Sequence, residues 1–298
     1  IPAHLYDLAY AYDKKGDHQT SIKYYNLYLD EDPYSDSAWY NLGIIYNKTG
    51  DYGKSLEVYD YALALNPENT FALFNKANIL SNLGKYNEAM DVYRQFVEEE
   101  PDSLEGLTYL AECYDKTGDE AMARKYYAEA IDITPDFPDP WYGLGLLSLS
   151  RNRPAESIMP LKKAIELDPE NPDYWFSLGR AHIMNGNAME AIRCFIETLI
   201  IDGYYDEAWI ETGMVVMMTG AYRGAIRILK KAAKISGDLP GIYFLLASAY
   251  LHTGNIKEAT RNLLRGIRLD NELLEEYSVL LPEEKLTNAM RRLFRKTN

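Results

Sequence analysis

Cysteine is all but missing: Cys113 and Cys194 are the only two in 298 residues. Two cysteines make neither a disulfide framework nor a thiolate metal site, and their scarcity favours a reducing, cytoplasmic compartment. Histidine is scarce as well. His4, His18, His182 and His252 fall in four separate regions. No Ser/His/Asp or Cys/His arrangement assembles locally, so neither an enzyme nor a cofactor or metal site is indicated. No apolar run approaches the roughly 20 residues that span a bilayer, which excludes a transmembrane helix. No basic segment followed by an apolar one opens the chain, so no signal peptide is visible. Ile1 is not an initiator methionine, which points to processing or to a longer parent chain.

The remaining composition is that of a folded chain, 47% hydrophobic and 26% charged. The charge is unevenly placed. Residues 1–150 hold 11 Lys and Arg against 26 Asp and Glu, a balance of −15, while residues 151–298 hold 20 against 19, a balance of +1. An acidic half of this size repels phosphate backbones, so nucleic acid is not an expected partner. It attracts basic partners, within roughly 10 Å at ~0.1 M salt.

A period of 34 residues runs through the chain. Trp39, Trp141, Trp175 and Trp209 lie in one register. Pro33, Pro67, Pro101, Pro135 and Pro169 share another, and Gly16, Gly50, Gly84, Gly118, Gly186, Gly220 and Gly254 a third, with Asn152 in the one gap. Such self-similarity means a stacked array and overrides a domain count based on length. Counted from Pro2, eight repeats reach residue 273 without an insertion, and the tryptophans stand at position 4. Apolar residues at positions 4, 7, 8 and 11 form one stripe of a helix. Gly or Asn at 15 ends that helix in the left-handed conformation. A small residue at 8, as in Gly43 or Ala77, meets a small residue at 20 on a second helix, as in Ser55 or Ala89. Proline at 32 stops the second helix. The glycines of "GLGLLS" (143–148) fall in this register and follow no strand, so they are not a dinucleotide loop. His182 and Cys113 occupy core slots. The run Glu98-Glu99-Glu100 reads as a solvated acidic helix end.

The second repeat, "WYNLGIIYNKTGDYGKSLEVYDYALALNP", resembles the tetratricopeptide repeat family. The resemblance rests on Trp39, Leu42, Gly43, Tyr46, Ser55, Tyr59, Ala62 and Pro67, and its register covers residues 2–273. It implies an all-α, right-handed superhelical solenoid of helix-turn-helix repeats. Residues 274–298 read as a degenerate ninth repeat and a C-terminal capping helix, with Leu286, Ala289, Met290, Leu293 and Phe294 on one stripe. That helix has a second reading, as a membrane-surface or partner-binding segment. The proline-rich link 135–141 and Pro160 mark a joint near 135–160 within one continuous solenoid. Pro160 is expected to bend or break its helix near Met159.

The resemblance implies a concave surface lined by positions 2, 5, 9, 12 and 13 of the first helices. Helical geometry agrees, because those positions lie opposite the core stripe. In the acidic half this surface holds Tyr6, Tyr10, Tyr40, Phe74 and Asn78, flanked by Asn41 and Asn75 at position 6. In the second half it holds Tyr142, Leu146, Phe176, Arg180, Ile183, Met184, Ile210, Met214, Met217, Met218, Phe244 and Leu251. Asparagines on such a face can hydrogen-bond an extended peptide, and methionines adapt to varied apolar partners. Glu211 and Arg180 are candidates to orient a ligand. No three consecutive repeats carry the Lys, Asn and Arg set with which some members clamp an acidic tail. The expected function is a non-enzymatic scaffold that grips an apolar or basic segment of another protein. The alternative is the recognition arm of a longer chain with a catalytic or membrane domain elsewhere. Homo-oligomers through the groove or the C-terminal helix are a further possibility.

Overall fold

The computed structural model describes residues 2–287. Cα packing divides the chain into two compact units, residues 1–143 and 144–298. The boundary lies in the uncharged stretch 140–150, so the first unit carries the whole −15.

The first unit holds α1 (Pro2–Lys14), α2 (His18–Glu31), α3 (Asp36–Lys48), α4 (Tyr52–Leu65), α5 (Thr70–Asn82), α6 (Tyr86–Glu99), α7 (Leu104–Thr117) and α8 (Glu120–Ile133). Helix α9 (Pro138–Ser150) spans the boundary. The second unit continues with α10 (Pro154–Leu167), α11 (Pro172–Met184), α12 (Ala188–Ile201), α13 (Asp206–Met218), α14 (Tyr222–Ile235), α15 (Pro240–His252), α16 (Ile256–Leu269) and the short α17 (Leu273–Ser278). No strand occurs among the described residues. Odd-numbered helices start every 34 residues from Pro2 to Pro240, and even-numbered ones every 34 from His18 to Ile256.

Local chemistry sets these boundaries. Asp17, Ser35, Asp51, Asn69, Ser103 and Asp119 each cap a helix by accepting the backbone N–H three residues on. Between the helices of each pair the backbone turns through a positive φ, as at Gly16 and Gly50. Asn152 takes that role in the fifth repeat at φ 57°. The recurring tryptophan ties four of the links down: the Trp39, Trp141, Trp175 and Trp209 indoles donate to the carbonyls of Pro33, Pro135, Pro169 and Gly203, all at 2.9 Å.

Within a pair, position 8 must be small because position 24 is large. A methyl group added at Gly43 would lie 2.5 Å from the Tyr59 ring, and one at Gly179 2.5 Å from Phe195. Both rings are fully buried, worth about 1.5–3 kcal/mol each in removal from water. The small residue at position 20 bonds the facing backbone: Ser21 Oγ donates to the Ala9 carbonyl at 2.6 Å and Ser55 Oγ to that of Gly43 at 2.7 Å.

Helix α10 runs unbroken from Pro154 to Leu167 with Pro160 inside it. The expected break near Met159 is absent. The Pro160 ring is buried beside Leu161, and this packing holds the turn helical although the proline nitrogen has no hydrogen to share. The end of the chain departs from the register. Helix α17 starts where a ninth repeat would but stops after six residues, followed by a 3-10 turn at Glu283–Lys285. The proposed capping stripe beyond Thr287, including Leu293 and Phe294, lies outside the described residues.

Candidate binding surfaces

In the first unit the odd-numbered helices line up side by side, and their tyrosines and asparagines form a ladder. Asn41 Nδ2 donates to the Tyr6 hydroxyl at 2.6 Å, and Asn75 Nδ2 to the Tyr40 hydroxyl at 3.3 Å. The offset is 35 residues each time, one repeat plus one. The Tyr93 hydroxyl donates to Asn78 Oδ1. These asparagines therefore spend part of their capacity inside the protein, Asn41 and Asn75 holding adjacent repeats together and Asn78 the two helices of its own repeat. What remains for a ligand is the Oδ1 and the second amide N–H of Asn41 and Asn75, and the Asn78 amide N–H groups.

Aromatic rings continue the ladder. The Tyr6 ring meets Tyr25 and Tyr28 edge-on at 5.5 and 5.4 Å. Tyr10 is exposed, with Lys14 over its ring. Phe74 packs among Tyr93, Phe96 and Tyr109. The sequence reading did not single out Phe71, which is 71% exposed and stands 6.3 Å from the Tyr40 ring. Phe71, Phe74 and Phe96 line a cavity of about 300 Å³ with Thr70, Ser103, Glu100 and Glu105. Phe71 is at position 2 of its repeat, one of the concave positions. That placement was the signal available.

The second unit is more apolar. Tyr142, just before the boundary, is half-buried. Leu146 and Met184 are exposed, Arg180 is exposed and Met218 is 70% exposed. Phe176 packs on Phe195 and Tyr205, and Ile183 is half-buried against the core around Phe195. Ile210 and Met214 are half-buried against the larger C-terminal core. Burial pushes the Glu211 carboxyl above its usual range, opposed by Arg180, so these two residues are electrostatic neighbours.

Three expected surface residues are core instead. Met217 is 8% exposed, Phe244 1% and Leu251 0%. Met217 joins the cluster that α14 and α15 build, because position 12 lies on the seam toward the next odd helix. Phe244 and Leu251 are covered because the segment after α16 lies on α15. The Tyr277 ring stacks on Phe244 at 5.4 Å, and its hydroxyl fills the space beside Gly241. Ser248 Oγ donates to the Leu280 carbonyl, and Lys285 Nζ to that of His252 at 3.1 Å. Exposed apolar residues also stand on even helices, at Met159, Met189, Ile196 and Ile200.

The buried titratable groups are core members. His182 is 6% exposed, its Nδ1 has no hydrogen-bond partner, and burial depresses its pKa. Burial pushes the thiols of Cys113, in α7, and Cys194, in α12, up to about 11. No described helix is long and apolar enough to cross a membrane.

Tetratricopeptide repeat models match residues 5–35, 37–69, 58–91, 82–147, 123–172, 161–193 and 217–277. The chain belongs to the tetratricopeptide repeat (TPR) family. Solved TPR structures share its fold. A TPR protein from Parabacteroides merdae aligns over 87% of this chain and 98% of its own, with a TM-score of 0.66 and 18% identity. PilW, a type IV pilus biogenesis factor, aligns over 72% of this chain and 98% of its own, with a TM-score of 0.60 and 20% identity. The Cut9–Hcn1 structure aligns over 91% of this chain and 53% of the matched chain, with a TM-score of 0.60 and 17% identity. No curated protein matches the sequence. TPR arrays typically serve as non-catalytic scaffolds for protein–protein interaction.

Proposed function

We propose that the first unit binds an extended segment of another protein along the face of its odd-numbered helices, and that the chain is a non-enzymatic scaffold. The observation that carries this reading is the exposed Phe71 beside the cavity it shares with Phe74, Phe96, Glu100 and Glu105. A solvent-exposed phenylalanine beside an apolar hollow is costly unless something covers it. The surrounding −15 charge selects for a cationic or neutral occupant. Next to the cavity the Tyr40–Asn75 rung leaves the Asn75 carbonyl oxygen free for the backbone N–H of an extended chain.

Random-peptide display against the immobilised full chain tests the reading. Enrichment of peptides that combine an apolar anchor with Lys or Arg is the expected result. Binding should weaken at least about tenfold in Phe71→Ala and about threefold in Asn75→Ala, as for an anchor and a single hydrogen bond. Peptides that bind both variants as tightly as the parent chain would show that the ligand sits elsewhere.

A further inference from the structure

Helices α14 and α16 carry a concentration of positive charge that the concave-face reading does not use. Arg223, Arg227, Lys230, Lys231 and Lys234 follow one stripe of α14, and Lys257, Arg261, Arg265 and Arg268 the matching stripe of α16. All nine are exposed. Between residues 222 and 268 only Asp238 and Glu258 oppose them, a balance of +7 in a chain whose net charge is −14. Arg265 pairs with Asp238 and Arg261 with Glu258. The other seven have no acidic partner within 4 Å among the described residues. Lys231 and Arg265 lie over the rings of Trp209 and Tyr243, which hold the cations against the surface. Between the stripes lies a depression of about 680 Å³ lined by Arg227, Lys230, Lys231, Lys234, Arg261 and Arg265 against the single carboxylate Glu258, with Tyr243 and Leu246 beneath.

Ordinary helix surfaces mix both signs, because like charges at this spacing repel. A face with nine cations and two acids is held at a cost that an anionic partner removes. Nucleic acid and membrane surfaces are extended polyanions, and the −15 of residues 1–143 opposes their approach. A compact acidic patch on a protein is short enough to be matched by these cations. This chain carries one. Residues 98–105 hold Glu98, Glu99, Glu100, Asp102 and Glu105, all exposed, with no cation among them.

We propose that the α14–α16 face docks the acidic turn 98–105 of a second copy of this chain. The two patches differ, so the contact is head-to-tail and each copy keeps one donor and one acceptor patch. The acceptor turn shares Glu100 and Glu105 with the cavity beside Phe71, so docking and peptide binding would compete there, but docking does not require a peptide ligand.

Sedimentation velocity of the full chain tests the docking. At ~20 mM salt, where screening is weak, mass should rise with protein concentration, and at ~500 mM the chain should be monomeric. The triple variant Arg227→Glu, Lys231→Glu, Arg261→Glu and the triple variant Glu98→Lys, Glu99→Lys, Glu100→Lys should each weaken association at least about tenfold. Mixing the two variants should restore a complex through the intact patch of each, which a folding defect cannot do. A parent chain monomeric at low salt, association that survives both reversals, or a mixture that stays monomeric would each overturn the proposal. So would a monomeric chain whose basic face instead binds phosphatidylserine vesicles or single-stranded RNA.

Discussion

Adjacent methionines on one turn of α13 have opposite surroundings. Met217 is packed into the C-terminal core and Met218 is open to water. Met217→Glu places a carboxylate among apolar side chains and should cost about 2–4 kcal/mol, read as a lower midpoint in urea unfolding. Met218→Glu should leave the midpoint within error. The helical period shows which residues oppose the core stripe, but it cannot show how close the next odd helix comes. That is why position 12 was legible as a face and not as a seam. His182 gives a second test. The fold favours its neutral form, so the unfolded chain binds the proton more readily between the depressed folded pKa and the ordinary value near 6.5. Stability is full above that ordinary value and falls as pH drops through the window. In His182→Tyr, which installs the residue found at position 11 in Tyr12, Tyr46, Tyr114 and Tyr250, the fall in melting temperature from pH 7 to pH 5 should be shallower.

Sixteen helices could be drawn from the sequence with their starts, because proline, glycine and tryptophan recur at three fixed points of the 34-residue period. Tertiary packing outweighs a local signal at two places. Pro160 is a helix breaker by its own chemistry, but its buried ring is held by the core around Leu161. Replacing it with Ala returns a hydrogen bond to α10 and removes strain. Pro160→Ala should raise stability by about 1–3 kcal/mol, less whatever the lost ring contacts contribute, measured by urea denaturation. The covering of α15 could not be read from repeat arithmetic either. Phe244 and Leu251 occupy positions that are at least partly open in most other repeats, Thr108 and Met217 being the exceptions, and the irregular segment after α16 adds to the cover of Phe244, whose ring also packs on Gly266 of α16. Tyr277→Ala should uncover Phe244 and lower stability by about 2–3 kcal/mol. An unchanged unfolding midpoint would mean that the segment does not hold the last repeat closed.

At the scale of the whole molecule, charge and packing divide the chain at the same uncharged stretch. Each unit is a stack whose repeats touch mainly their neighbours, so local openings need not spread from one end to the other. Its two cysteines make this measurable. One lies in each unit, both are buried, and both thiols are held largely protonated at neutral pH. Iodoacetamide reacts with the thiolate, so each cysteine is modified only when its own helix pair opens. The sulfurs are thus two independent clocks on one chain. Mass spectrometry of digested samples taken over time, at rising urea concentrations below the unfolding midpoint, reads Cys113 and Cys194 separately. Their rates should diverge as urea rises, and equal rates throughout would show that the molecule opens as one body.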